Sequence, residues 1–160
     1  MNIHVNTGSK WTALAMATAA LVLAPFNGEG ICIGCSWTVR LSYPMFHASL
    51  LHAFCNAWCL ITLVFYYDLH FRKILTAYLV AISVPAFALS VTPAVGMSGI
   101  CFALMGLTVY AVRRKAMFVS WVAVFLAVGI FVPGMAWIIH LYCFAAGLFV
   151  GLFTSPVIRR

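Results

Sequence analysis

Gly96-Met97-Ser98-Gly99-Ile100-Cys101-Phe102-Ala103-Leu104-Met105-Gly106 sets a serine between small residues, and the apolar run that follows meets no charge until Arg113. From Ser98 to Val112 that run has 15 residues, which as a helix rises about 22 Å at ~1.5 Å per residue. The hydrocarbon core of a bilayer is about 30 Å thick. With Arg113, Arg114 and Lys115 at one membrane face, Ser98 starts several ångströms below the other. The segment Thr92–Met97 must then dip inward without being helical. Irregular backbone at that depth is tolerated only where it is buried in protein or lines a wet cavity. The stretch therefore predicts a polar cavity open to the far side, with Ser98 at its floor.

The rest of the chain fits that setting. Its 160 residues are 66% hydrophobic and 7% charged, whereas soluble domains carry about 25% charged residues. One soluble core of this size cannot hide so much apolar surface. The expected class is a single all-α membrane domain over residues 1–160, without a repeat of fixed period. The net charge of +7 invites a nucleic-acid partner, but its distribution excludes one. Eight of the nine Lys and Arg residues fall in four clusters, Lys10, Arg72 with Lys73, Arg113 to Lys115, and Arg159 with Arg160. They sit between apolar runs, as cytoplasmic loops do.

Six runs approach the length that a spanning helix needs: Trp11–Phe26, Phe46–Tyr67, Ile74–Val91, Ser98–Val112, Ala116–Val132 and Gly134–Val157. The first is short and follows Lys10, as a signal peptide does, but no small-x-small cleavage site follows Pro25. Six spans put both termini and all eight clustered cations on the cytoplasmic side. The outer side receives Asn27–Met45, Thr92–Met97 and the Pro133-Gly134 turn. The long loop is expected along the outer interface, with Trp37 and Tyr43 at headgroup level. Pro85 is expected to kink the third helix.

Polar residues converge at one depth. His140 lies about 9 Å into the sixth run by helical rise. His52 is at similar depth in the second, and Asn56 is one turn deeper on the same face. Singly, each has a plain explanation: Ser98 as a helix cap, His52 or Asn56 as interhelical glue, His140 as a packed, hydrogen-bonded ring. Together, beside a cavity, they form a candidate catalytic site. A serine hydroxyl needs a base, and His140 supplies one. The two acidic residues, Glu29 and Asp68, sit in loops on opposite sides, so the expectation is a dyad. Asn56, His52 and the Ser98 backbone N–H are candidate oxyanion donors. Phe102, at i+4 from Ser98, is placed to stack on the His140 ring.

His47-Ala48-Ser49-Leu50-Leu51-His52-Ala53-Phe54-Cys55-Asn56, then Gly96-Met97-Ser98-Gly99 with Phe102 to Gly106, then His140 with Gly147, resemble the rhomboid family of intramembrane serine proteases. The Trp37/Arg40 loop also looks like that family's first loop. The resemblance runs from about Trp37 to Gly151 and implies a six-helix bundle. It implies Ser98 as nucleophile, His140 as base, His52 and Asn56 at the oxyanion, and Gly96, Gly99 and Phe102 as supporting residues. It implies no metal and no cofactor, and a transmembrane substrate entering beside the fifth run. Two positions depart from the pattern. Many members carry tyrosine at Phe102, so stacking is kept and a hydroxyl lost. Many carry glycine at Cys143, which implies looser packing of the sixth run on the fourth.

Cys55, Cys59, Cys101 and Cys143 lie in apolar runs and read as packing residues. Cys32-Ile33-Gly34-Cys35 lies in the outer loop, where it suits a local disulfide or free thiols. A membrane thiol oxidoreductase is the rival reading, yet the other outer loops carry no second cysteine pair. A client-binding relative without catalysis, and a haem protein with His52 and His140 as axial ligands, are further alternatives. The expected home is a bacterial inner membrane.

Overall fold

The structure is a computed structural model that describes residues 6–26 and 28–154. Asn27, residues 155–157 of the sixth run, and Arg159 with Arg160 lie outside the described residues. The fold is all-helical: α1 (Thr7–Leu23), α2 (Trp37–Ser42), α3 (Leu50–Tyr66), α4 (Phe71–Ile82), α5 (Ser98–Thr108), α6 (Lys115–Phe131) and α7 (Trp137–Thr154). Among the described residues there is no strand, only an antiparallel bridge between Ile31 and Ala94. Only α7 among the described helices is by itself long and apolar enough to cross a membrane. A second span arises if residues 37–45 and α3, bent by 85° at their break, are counted together; α5 and α6 are apolar but shorter.

Six helices correspond to the six apolar runs, and α2 is added inside the first loop. The ends differ. The first helix begins four residues earlier than Trp11, at Thr7. The second begins at Leu50 rather than Phe46, because Ser49 caps it by accepting from the His52 N–H at 3.1 Å. The fourth stops at Thr108 rather than Val112. The fifth shifts by one residue to Lys115–Phe131, and the last begins at Trp137 rather than Gly134.

The largest correction concerns Pro85, which does not kink a continuing helix. The third run ends as α-helix at Ile82 and continues through a short 3₁₀ turn at Ala86–Ala88. Proline has no N–H to give the carbonyl four residues back, which is that of Ala81. Tyr43 supplies the missing donor, its hydroxyl reaching the Ala81 carbonyl at 2.8 Å. Arg40 Nη1 donates to the next carbonyls, Ile82 at 3.3 Å and Val84 at 2.7 Å. A cation there also complements the negative end of the helix dipole. Tyr43 is therefore not at a headgroup surface: it is 2% exposed, whereas Trp37 is 70% exposed. Burial raises the Tyr43 pKa above its ordinary value, so the hydroxyl stays a neutral donor.

α5 is the central element. Gly99 to Leu104 and Gly106 to Thr108 are all buried. α1 lays Ala13, Ala17 and Ala20 inward and packs on α3. α7 lies against α5 at backbone distance: a Cβ on Gly147 would strike the Ala103 carbonyl, one on Gly106 the Phe144 carbonyl, and one on Gly151 would sit 3.2 Å from Leu107 Cα. Cys143 is fully buried at this contact. Its sulfur would lie 3.3 Å from a Cβ on Gly99, so the missing side chain of Gly99 makes its room. α6 is the least embedded helix, with Val122 and Gly129 its buried residues.

Candidate active site

Ser98 is the first residue of α5 and Met97 its cap. The serine hydroxyl does not cap the helix. Ser98 Oγ lies 2.8 Å from Nε2 of His140, three residues into α7. The glycine seam of α5 and α7 sets that distance, because it fixes the separation and register of the two helices. Phe102, one turn below Ser98, stacks on His140 with ring centroids 4.6 Å apart and planes 16° apart. The ring face is thereby held, and Nε2 points at the hydroxyl.

The segment before Ser98 brings in the other two predicted residues. Gly96 has φ 122°, a conformation that side chains avoid. A Cβ there would lie 2.9 Å from His52 Cε1, 3.1 Å from His52 Nε2 and 3.3 Å from Asn56 Nδ2. His52 and Asn56, four apart on α3, thus meet the backbone two residues ahead of Ser98. Asn56 is 8% exposed, and among the described residues its buried Nδ2 has no hydrogen-bond partner. A buried amide donor left open costs stability, so its retention calls for an explanation, of which a catalytic role is one. Its backbone carbonyl accepts the Cys101 thiol at 3.6 Å, tying α3 to α5.

His47 has a place that the sequence reading did not give it. It is 5% exposed, and its Nε2 accepts the Met97 N–H at 3.2 Å. That N–H immediately precedes α5, where helix starts leave donors unsatisfied. An accepting Nε2 puts the proton on Nδ1, which faces the Met45 carbonyl at 3.3 Å. The Gly96 N–H is held too, by the Tyr43 carbonyl at 3.2 Å. The irregular segment is therefore bonded on both sides of its turn. The available signal was a second histidine five residues ahead of His52, read only as part of a motif.

The acidic residues stand apart from this centre. Asp68 pairs with Lys10 at 3.0 Å, and Glu29 is exposed beside a cavity that Cys32 and Cys35 also line. Chemically, the arrangement offers a hydroxyl on a base, with an open amide donor on the neighbouring helix. Gly96 and Gly99 are the close approaches that let the parts meet. No family model, curated protein or solved structure matches the chain.

Proposed function

We propose that this chain is an intramembrane serine endopeptidase of the rhomboid type, cleaving peptide bonds in or near transmembrane segments of other membrane proteins. The observation that carries the reading is the 2.8 Å contact between Ser98 Oγ and His140 Nε2. His140 takes the serine proton as Oγ attacks the scissile carbonyl carbon. The carbonyl electrons move onto oxygen, where Asn56 Nδ2–H, His52 and the Ser98 N–H donate hydrogen bonds. Collapse breaks the C–N bond, and the leaving amine takes the proton from His140. Water then attacks the acyl-enzyme as His140 accepts its proton; the ester C–O bond breaks, and His140 returns the proton to Ser98 Oγ as the acid product leaves.

In this reading the six helices other than α2 span the membrane and both termini are cytoplasmic, in a bacterial inner membrane. Large apolar side chains face outward on several helices, including Trp58, Trp121, Phe125 and Phe131, as a lipid environment favours. α4 and α5, with 12 and 11 residues, are completed by irregular backbone packed in protein. Lys10 on α1 pairs with Asp68 after α3, and Lys73 Nζ donates to Leu107 near the end of α5 at 3.2 Å. These contacts bring together the start of α1, the α3–α4 turn and the end of α5, which supports the proposed topology.

The test is labelling of detergent-solubilised protein by a fluorophosphonate probe. The parent should label; Ser98→Ala and His140→Ala should not, while keeping the parental melting behaviour. A folded parent that never labels would turn the reading toward a client-binding protein without catalysis.

A further inference from the structure

The outer-loop thiols are not used by this chemistry, yet they adjoin it. Residues 32–35 form a turn in which the Cys35 N–H donates to the Cys32 carbonyl at 3.3 Å and Gly34 adopts φ 79°. The ends of such a turn lie less than about 7 Å apart, which is the limit for a disulfide without backbone movement. Both cysteines are free, half-buried, and line one cavity of about 450 Å³ with Glu29, Ser36 and Pro93. The same loop is stitched to the segment that leads to Ser98. The Ile31 N–H donates to Ala94 at 2.8 Å, the Ala94 N–H to Ile31 at 3.0 Å, and the Ile33 N–H to Ser90 at 3.1 Å. Gly30 lies so close that a Cβ would be 2.8 Å from the Ala94 carbonyl. Ile33 sits inside the ring that a Cys32–Cys35 bond would close.

We propose that Cys32 and Cys35 are a reversible dithiol–disulfide couple that controls how firmly the first loop holds the segment preceding Ser98. The inference rests on the protease reading only for its consequence at Ser98 and on its topology for placing the loop outside. Oxidation proceeds by exchange with a low-molecular-weight disulfide that enters the cavity. One cysteine thiolate attacks the disulfide, breaks its S–S bond and releases one thiolate. The second cysteine then attacks the mixed disulfide and releases the other. Two protein thiols are oxidised and one external disulfide is reduced to two thiols. Closing the ring restricts the turn and makes the bonds of Ile31, Ile33 and Ala94 more persistent.

The experiment uses the full chain in detergent, treated either with 2-hydroxyethyl disulfide or with dithiothreitol. A neutral oxidant suits a cavity bordered by the Glu29 carboxylate. Peptide mass mapping should find Cys32 and Cys35 joined and lighter by the two lost hydrogens. Amide exchange in the peptides holding Ile31, Ile33 and Ala94 should slow roughly tenfold on oxidation, and the Cys32→Ser/Cys35→Ser double variant should show no such response. Two freely alkylated thiols after oxidant, or a joined pair with unchanged exchange, would overturn the couple. Fluorophosphonate labelling is read separately: a redox-dependent exchange rate in a protein that never labels would uphold the couple and remove the protease reading.

Discussion

Gly147 of α7 faces the main chain of Ala103 in α5 so closely that a methyl group would strike its carbonyl oxygen. Ser98 and His140 sit on these same two helices, each seven or fewer residues from that contact. Gly147→Ala must push the helices apart, and overpacking of this kind costs about 1–3 kcal/mol. The expected outcome is a lower melting temperature and roughly tenfold or greater loss of fluorophosphonate labelling. Gly8→Ala is the control: among the described residues nothing lies within 4 Å of a Cβ there. Equal labelling in the two variants would separate the glycine seam from the dyad's geometry.

Asn56 has the profile of a donor waiting for an acceptor. Its Nδ2 is buried and unpartnered, and the oxyanion it would meet exists only during the reaction. Asn56→Ala should lower kcat by about 10²–10³ and leave KM nearly unchanged, as loss of an oxyanion donor does. The variant should still label slowly, since Ser98 and His140 keep their contact. A large rise in KM at constant kcat would make Asn56 a substrate-binding residue instead.

Much of the candidate site's arrangement was legible in the sequence because helical rise is uniform and α3 and α7 begin later than their runs by similar amounts, four and three residues. Counting residues from the ends of runs put Ser98, His52 and His140 at one level, and the i+4 rule put Phe102 beneath the serine. What was not legible came from partners far along the chain. The end of α4 depends on Tyr43, 38 residues away, taking over the carbonyl that Pro85 leaves open. Local rules see only the proline and expect a kink. Ser98 is an ordinary cap residue by propensity, yet Met97 takes the cap position and the Ser98 hydroxyl meets His140, 42 positions on. His47 escaped for the same reason, since its partner is the Met97 amide, 50 residues away.

Asp68 gives a prediction in pH. The hydrogen bond from Lys10 is the main cause that holds its carboxyl below the usual value, with Asn6 assisting. A depressed folded-state pKa contributes stability above the unfolded value, near 4, which is lost as pH falls through the folded one. The melting temperature of the parent should therefore exceed that of Asp68→Asn at neutral pH, and the gap should close below about pH 4. Asparagine is the right replacement because residue 68 has φ 45°, a left-handed conformation it tolerates. A gap that persists unchanged at pH 3 would assign the difference to something other than the ionised pair.

Gly96 concentrates two constraints at one position. Its φ of 122° suits glycine alone, and a methyl group there would press on His52 at 2.9 Å and Asn56 at 3.3 Å. Gly96→Ala must either flip the backbone, disturbing the N–H that Tyr43 holds and the Met97 amide on His47, or displace both α3 side chains. Either response moves His52 and Asn56, the proposed oxyanion donors, relative to Ser98. Turnover should fall by at least about a hundredfold. The loss in melting temperature should match roughly 1–3 kcal/mol of strain. The two effects are separable by a second change: Gly96→Ala combined with Asn56→Ala should lose far less than the product of the single losses, because both remove the same donor geometry. Multiplicative losses would place the role of Gly96 in holding the segment itself, apart from Asn56.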